Sequence, residues 1–380
     1  MNILILTHSY PDAENRWRGI FIQEQVKALS LRHNIILVYF KVDYSKLAPF
    51  KKYKALKRKA SERITEYELT TARSFPVINQ VKYLLDTYRF IKSEILANNK
   101  IDLIHSHLTY PAGFLAAMIS KKVHLPFVLT EHSRIQNYHR SLIHRLCVRF
   151  TIRNTPVLIC VSNVLRQEIL KSVKSEIAVV HNAIDVQHFK PADKGPKHDL
   201  INIGFLGSLK NPNKGLDILL TALSTLKEPD LRLHIGGDGR LRATYIKMAE
   251  DLGIKDSCIF YGEISPDSRL DFYSRLDLFV LPSRSETFGM VLVEAMSCGI
   301  PVIATNCGGP AEIVSDGTGF LVEKDDPEGL ARAITRMVGE IKSFDRVAIR
   351  EYAIRRFSHE ALADNLTAIY KILLMKDNPV

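Results

Sequence analysis

The sequence has no Cys-x-x-Cys pair. Its five cysteines (Cys147, Cys160, Cys258, Cys298 and Cys307) are scattered along 380 residues. That argues against a disulfide framework or a thiolate metal site, and for reduced core thiols in a cytosolic protein. The 13 histidines show no metal-ligand spacing. No run approaches the roughly 18 apolar residues that a membrane-spanning helix needs. The apolar start, Asn2 to Leu6, lacks a basic flank and a cleavage site, so it reads as a first strand and not as a signal peptide. Short-period repeats and low-complexity tracts are also missing, which leaves no place for long disorder.

What is present is ordinary in bulk and uneven in charge. Apolar residues make up 46% and charged residues 24%, as in a soluble globular protein. The length suits two cores better than one. Residues 1–190 hold 29 Lys and Arg against 14 acids, whereas residues 191–380 hold 23 against 27. The densest basic stretch runs from Phe50 to Lys59. It suits an anionic membrane surface or a phosphorylated substrate; a solvated helix face is the bland alternative. No nucleic-acid-binding module accompanies it.

Short apolar strands alternate with amphipathic helices along the chain. Strands are expected at 2–7, 34–40, 102–106, 126–130 and 157–161, then at 201–206, 231–235, 258–261, 278–281 and 301–304. This pattern predicts α/β architecture: two doubly wound, Rossmann-like parallel sheets with a cleft between them. The polar stretch 188–199 is the best linker, and a final helical region at about 327–375 closes the chain. Ligands of such sheets bind beyond the carboxyl ends of the strands.

The most informative stretch is 282–299. It leaves a strand, turns, and enters a helix near Gly289. The amides of Phe288, Gly289, Met290 and Val291 then form an anion site at a helix N-terminus. Glu286 stands at its mouth. Glu294 sits one to two turns on, inside an apolar helix, where a charge is costly unless partnered. Either it pairs with an Arg or a backbone group, or it accepts hydrogen bonds from ligand hydroxyls. Two carboxylates flanking an anion site describe a ligand with phosphates in the middle and hydroxyls at both ends, which is a nucleotide sugar.

The spacing Glu-x₇-Glu, with Phe-Gly after the first Glu and Ala-Met after the second, resembles the signature of the retaining glycosyltransferases of family four, which have the GT-B fold. Four further segments resemble that family in order. They are Ser9-Tyr10-Pro11 with Gly19-Ile20-Phe21, His181-Asn182-Ala183-Ile184-Asp185, the 207–215 loop with Lys214, and the Gly308-Gly309 loop before Glu312. The opening segment is similar to that of members that build surface polysaccharides.

The resemblance implies an N-terminal acceptor domain at 1–187, a donor domain at 188–360, and a helix at 361–380 that returns to the first domain. It places Glu294 on the donor ribose, Glu286 on the transferred sugar and Lys214 on the diphosphate. A Lys beside the start of a helix also makes physical sense if an anion lies between them. Gly19 and Gly237 approach the donor. His107 lines the cleft beside the reacting sugar. It shares a strand face with His105, which is the structural one of the two. Tyr10, Glu131 and His132 border the acceptor.

One departure stands out: Ser208 occupies the position where the family usually has a second cation, an Arg. Lys210 and Arg284 are the candidates to compensate. The implied chemistry is metal-free, with no cofactor and with a UDP- or GDP-linked sugar as substrate. The implied partners are that donor, a glycan or lipid-linked acceptor and an anionic membrane surface at the cytoplasmic face, with no nucleic acid. A sugar-nucleotide epimerase of the same fold and a non-catalytic partner subunit are the alternatives.

Overall fold

The computed structural model describes residues 1–47, 53–74, 76–133, 142–173, 175–192, 200–226 and 230–377. It comprises two compact units, Met1–Ala183 with His359–Val380, and Ile184–Ser358.

The first unit carries eight strands: β1 (Asn2–Thr7), β2 (Asn34–Leu47), β3 (Lys54–Ser61), β4 (Ile64–Arg73), β5 (Leu103–His107), β6 (Phe127–Glu131), β7 (Val157–Cys160) and β8 (Ile177–Val179). Their spatial order is β3-β4-β2-β1-β5-β6-β7-β8. Every pairing is parallel except β3 with β4. The chain order reverses direction between β1 and β5, so the loops that leave these two strands diverge and open a crevice.

Ile3 to Leu6 are fully buried, as expected of a strand covered on both faces. One cover is the helix Ile20–Ser30, which turns Ile22, Val26 and Leu29 inward. Beside it lies the terminal helix His359–Asp377, with Leu362, Leu366, Tyr370 and Leu373 in the same core. The spacing of those four residues is that of one helix face.

The helix-face reading of residues 50–59 is corrected. Residues 54–59 lie in β3, an antiparallel edge strand exposed along its whole length, and 48–52 lie outside the described residues. Lys and Arg favour helix locally, but pairing with β4 decides here. Lys57 faces Tyr67 across the ladder, its Nζ 5.5 Å from the ring centre, and Arg58 reaches Glu68 at 3.4 Å.

The second unit has six strands: β9 (Ile201–Leu206), β10 (Leu231–Gly236), β11 (Cys258–Gly262), β12 (Leu278–Leu281), β13 (Val302–Thr305) and β14 (Gly319–Val322). All are parallel, in the order β11-β10-β9-β12-β13-β14. Its topological reversal falls between β9 and β12. Of the polar stretch read as a linker, 188–192 belongs to this unit: Arg350 Nη1 donates to the Phe189 carbonyl at 2.7 Å. Residues 193–199 lie outside the described residues. The final helical region divides into Pro327–Glu340, Arg346–Phe357 and His359–Asp377. Among the described residues no helix is long and apolar enough to cross a membrane.

Candidate functional site

In the second unit, the loops after β9 and β12 meet at the topological reversal. Their meeting is set by glycine. A Cβ on Gly215, at φ +71°, would lie 1.9 Å from the Pro282 carbonyl oxygen, and one on Gly237, at φ +134°, would lie 1.8 Å from that of Gly207. Only glycine permits both the backbone angle and the approach. Three backbone bonds then stitch two turns together: Gly207 N to Gly236 O, Leu209 N to Asp238 O, and Leu241 N to Leu209 O, each 3.0 Å. The 236–241 turn is therefore one piece with the loop that carries Ser208.

Glu286 is held by its main chain, bridged to Gly308, and its carbonyl accepts from Gly309 N at 2.9 Å. From there its carboxylate meets Lys214, whose Nζ donates to Oε2 at 2.5 Å. Four residues on begins the helix Met290–Ser297, whose N-cap is Gly289 at φ +108°; no side chain caps it. The positive end of the helix therefore has no carboxylate or hydroxyl cap.

Glu294, buried in this helix, has two partners. Tyr273 Oη donates to Oε2 at 2.8 Å and Arg269 Nη1 donates to Oε1. The pairing with an Arg is thus realised. Each oxygen still has a second lone pair to offer. Sequence reasoning missed Arg269 and Tyr273. Their i, i+4 spacing, just ahead of β12, was the available signal.

The structure removes Arg284 as a substitute for the cation missing at Ser208. Its guanidinium is bidentate on Asp217 at 2.7 and 2.9 Å, and its Nε donates to Asp325 at 2.7 Å. Ser208 and Lys210 are exposed. Arg240 is also fixed against this loop: its Nε donates to the Lys210 carbonyl at 2.7 Å.

In the first unit, the candidate residues lie at the carboxyl ends of β1, β5 and β6. Gly19, at φ +63°, opens the helix Ile20–Ser30, and a Cβ there would lie 2.3 Å from the Ser9 carbonyl oxygen. His105 is consumed structurally: Nε2 bonds Thr130 Oγ1 at 2.8 Å and Nδ1 bonds Tyr370 Oη at 2.6 Å. His107 Nδ1 bonds His132 Nε2 at 3.1 Å. Burial holds both rings neutral, His107 well below the ordinary imidazole range and His132 down to about 3.

Two residues expected on the acceptor side have partners inside the first unit. Glu131 is fully buried and accepts from the backbone amides of Thr109, His132 and Ser133 and from the Thr109 and Ser133 hydroxyls. It clamps two loops, because a buried carboxylate must be fully satisfied. Burial outweighs those bonds and raises its pKa. Tyr10 belongs to the core, and its hydroxyl donates to Glu66 at 2.9 Å.

Beside these strand ends lies a cavity of about 1020 Å³, lined among others by His8, Arg18, Lys41, Tyr44, Tyr83 and Tyr110. Burial, assisted by Arg18, pushes His8 down to about 4.

Comparison with known proteins agrees with this architecture. Residues 21–188 match the family model of Glycosyltransferase Family 4, and residues 186–356 that of glycosyl transferases group 1. An uncharacterized glycosyltransferase of Methanocaldococcus jannaschii is 30% identical over 319 residues, covering 81% of this chain and 86% of that protein. TuaC of Bacillus subtilis, named as a teichuronic acid biosynthesis glycosyltransferase, is 28% identical over 359 residues, 88% of this chain and 89% of its own. The crystal structure of Anabaena HepE in complex with UDP-glucose superposes with a TM-score of 0.70 at 20% identity, covering 98% of this chain and all of that one. Two parallel α/β units, the terminal helix on the first of them, and the matched segments together place this chain in the family-four glycosyltransferases with the GT-B fold.

Proposed function

We propose that this chain transfers a glycosyl group from a nucleotide sugar to a hydroxyl of a lipid-linked or growing surface glycan, with retention at the anomeric carbon. The observation that carries the reading is the second-unit site. A helix N-terminus without a side-chain cap directly follows the paired Glu286 and Lys214, and the same helix carries the Glu294 carboxylate. A nucleoside diphosphate sugar matches that sequence of charges. Its diphosphate replaces Glu286 as the partner of Lys214 and faces the helix amides from Phe288 to Val291, with Gly237 close by. Glu286, so released, accepts from hydroxyls of the transferred sugar. The remaining lone pairs of Glu294 accept from the ribose. Arg240, bonded to the Lys210 carbonyl, supplies the charge missing at Ser208.

Lys214, Arg240 and the helix dipole stabilise the diphosphate as it leaves, an electrostatic task that uses the chain's own groups and no metal or cofactor. The acceptor hydroxyl attacks the face that the diphosphate leaves, and the departing phosphate takes its proton. His107, in the first unit, contacts the transferred sugar, and Gly19 lets backbone approach the phosphate. The HepE complex supports UDP as the carrier. The name of TuaC supports a surface polysaccharide.

The acceptor's carrier is read from the first unit, which works in the cytoplasm at the inner face of the membrane. Helix Leu142–Arg153 carries Arg145, Arg149 and Arg153 and exposes Leu142, Ile143 and Leu146. That composition suits an anionic bilayer surface. The helix also borders the 1020 Å³ cavity, through the Tyr110 and His144 rings at 4.9 Å.

Thermal unfolding with a panel of nucleoside diphosphates and nucleotide sugars tests the donor site. Saturation at a hundredfold over Kd stabilises by about 2.7 kcal/mol. The cognate donor with a glycan acceptor should then give product, and Glu286→Ala should lose most of it. Full activity in that variant would remove the site assignment. Conversion of donor without acceptor would establish an epimerase instead. Vesicles of anionic lipid at low salt should sediment the chain, and failure to do so would reject the membrane partner.

A further inference from the structure

His107 and His132 end neighbouring strands and lie in a continuous ladder of rings. The centroids of Phe21 and His132 are 4.4 Å apart, those of His132 and His107 5.4 Å, those of His107 and His105 4.5 Å, and those of His105 and Tyr370 5.7 Å. His105 has both ring nitrogens bonded. The other two histidines share a single bond, between His107 Nδ1 and His132 Nε2. Their outer nitrogens, His107 Nε2 and His132 Nδ1, are buried and have no hydrogen-bond partner. His107 is fully buried and His132 is 6% exposed.

Hydrogen bookkeeping gives this pair a definite property. Two neutral imidazoles own two N–H groups and two lone pairs. One of each is used between the rings. One N–H therefore remains at one end and one lone pair at the other. An unpaired buried N–H is the rarer state in folded proteins. On the glycosyl-transfer reading the substrate lies against His107, so the remaining N–H belongs at His107 Nε2 and the lone pair at His132 Nδ1. His132 Nε2–H then donates to His107 Nδ1. A hydroxyl oxygen is the fitting ligand for a neutral N–H in so apolar a setting, since burial disfavours the imidazolium that a phosphate would prefer.

We propose that His132 is a positioning residue, which holds His107 in its Nε2–H tautomer so that this N–H is aimed at a hydroxyl of the sugar substrate. The choice of His107 as the ligand-facing end, and the identity of the hydroxyl, rest on the glycosyl-transfer reading; the NMR test below reads the tautomer without it.

Nitrogen-15 NMR of the histidine-labelled full chain at pH 7 tests the tautomer without any substrate. His107 should read as Nε2–H in the wild type and in His132→Gln, whose amide can still donate. In His132→Phe, which keeps the ring against Phe21, that preference should be lost. A wild-type His107 that is charged or Nδ1–H overturns the proposal, also if the Phe variant does not fold. So does an unchanged tautomer in a folded Phe variant.

Kinetics with the donor identified by the nucleotide panel test the role. His132→Phe should lower kcat about tenfold, with donor KM within about twofold, as expected when orientation alone is lost. His132→Gln should recover at least half of the activity. In a His107→Phe background the same His132→Phe change should cost nothing further, because the two act as one unit. Additive losses would overturn the positioning role. A chain with no transfer activity on any donor would sink the functional reading, while the NMR result still decides the tautomer.

Discussion

Replacing Arg269 by methionine should destabilise the second unit far more than replacing Arg269 and Glu294 together. Glu294 has a side chain only 4% exposed, and Arg269 one 14% exposed. Removing one partner from a buried ion pair typically costs about 3–5 kcal/mol, because the other charge is left without compensation. Tyr273 still donates to Glu294 Oε2 at 2.8 Å, and a hydrogen bond to a charged group is worth about 1.5–3 kcal/mol. The expected loss therefore lies at the low end, about 3 kcal/mol. For a unit of this size each kcal/mol moves Tm by roughly 2–4 °C, so the variant should melt about 6–12 °C lower. The double variant Arg269→Met with Glu294→Leu should recover most of that loss, since a well-packed apolar pair often replaces a buried ion pair at little cost. Scanning calorimetry reads both. A fall of less than about 2 °C in the single variant, or a double variant that melts no higher than the single, would refute the claim that the pair is buried and mutually dependent.

Four further outcomes follow from the structure. Lys214→Ala should weaken nucleoside diphosphate binding at least about tenfold, the loss of one charge-assisted bond. Arg284→Ala should leave affinity within about threefold and lower Tm instead, because its charge is spent on Asp217 and Asp325; calorimetric titration and melting separate the two. Gly237→Ala should cost about 3 kcal/mol or more in a melting experiment, against about 1 kcal/mol for Gly253→Ala. Both have positive φ, but only the first would drive a Cβ into backbone, at 1.8 Å. Stability should also fall as the solution is acidified. His8 is depressed to about 4, and His105 and His132 to about 3. Below their unfolded value of about 6.5 the unfolded chain binds more protons, so each group removes up to about 1.4 kcal/mol per pH unit down to its folded pKa. The stabilisation is complete above pH 6.5, and a Tm that stays flat from pH 7 to 5 would contradict it.

The local geometry of the candidate donor site was legible because its signals are local. Gly289 before an apolar helix, Glu294 eight residues after Glu286, and Lys214 beside Gly215 are relations along the chain, and the structure keeps them. The partners were not legible. Arg269 comes to Glu294 from a different helix, and Arg284 turns to Asp217 from a different loop. Nothing in residues 280–299 says which arginine is taken. In the first unit, Glu131 and Tyr10 follow strand ends and so looked available to a ligand. Their side chains instead satisfy buried amides and a core carboxylate contact, which depends on loops distant in sequence.

The sequence alone determined the periodicities, the glycine turns and the order of motifs, and with them the fold class and the family. Those properties are set by backbone sterics and by burial patterns a few residues long. Only tertiary structure decided which charges are paired. It pairs Arg284 with Asp217 and Asp325, bonds Arg240 to the Lys210 carbonyl, couples His107 to His132 and makes a lysine-rich segment the edge strand β3. Each of these outcomes depends on what long-range packing brings within hydrogen-bond distance, and a side chain's charge has no fixed meaning until its partner is in place.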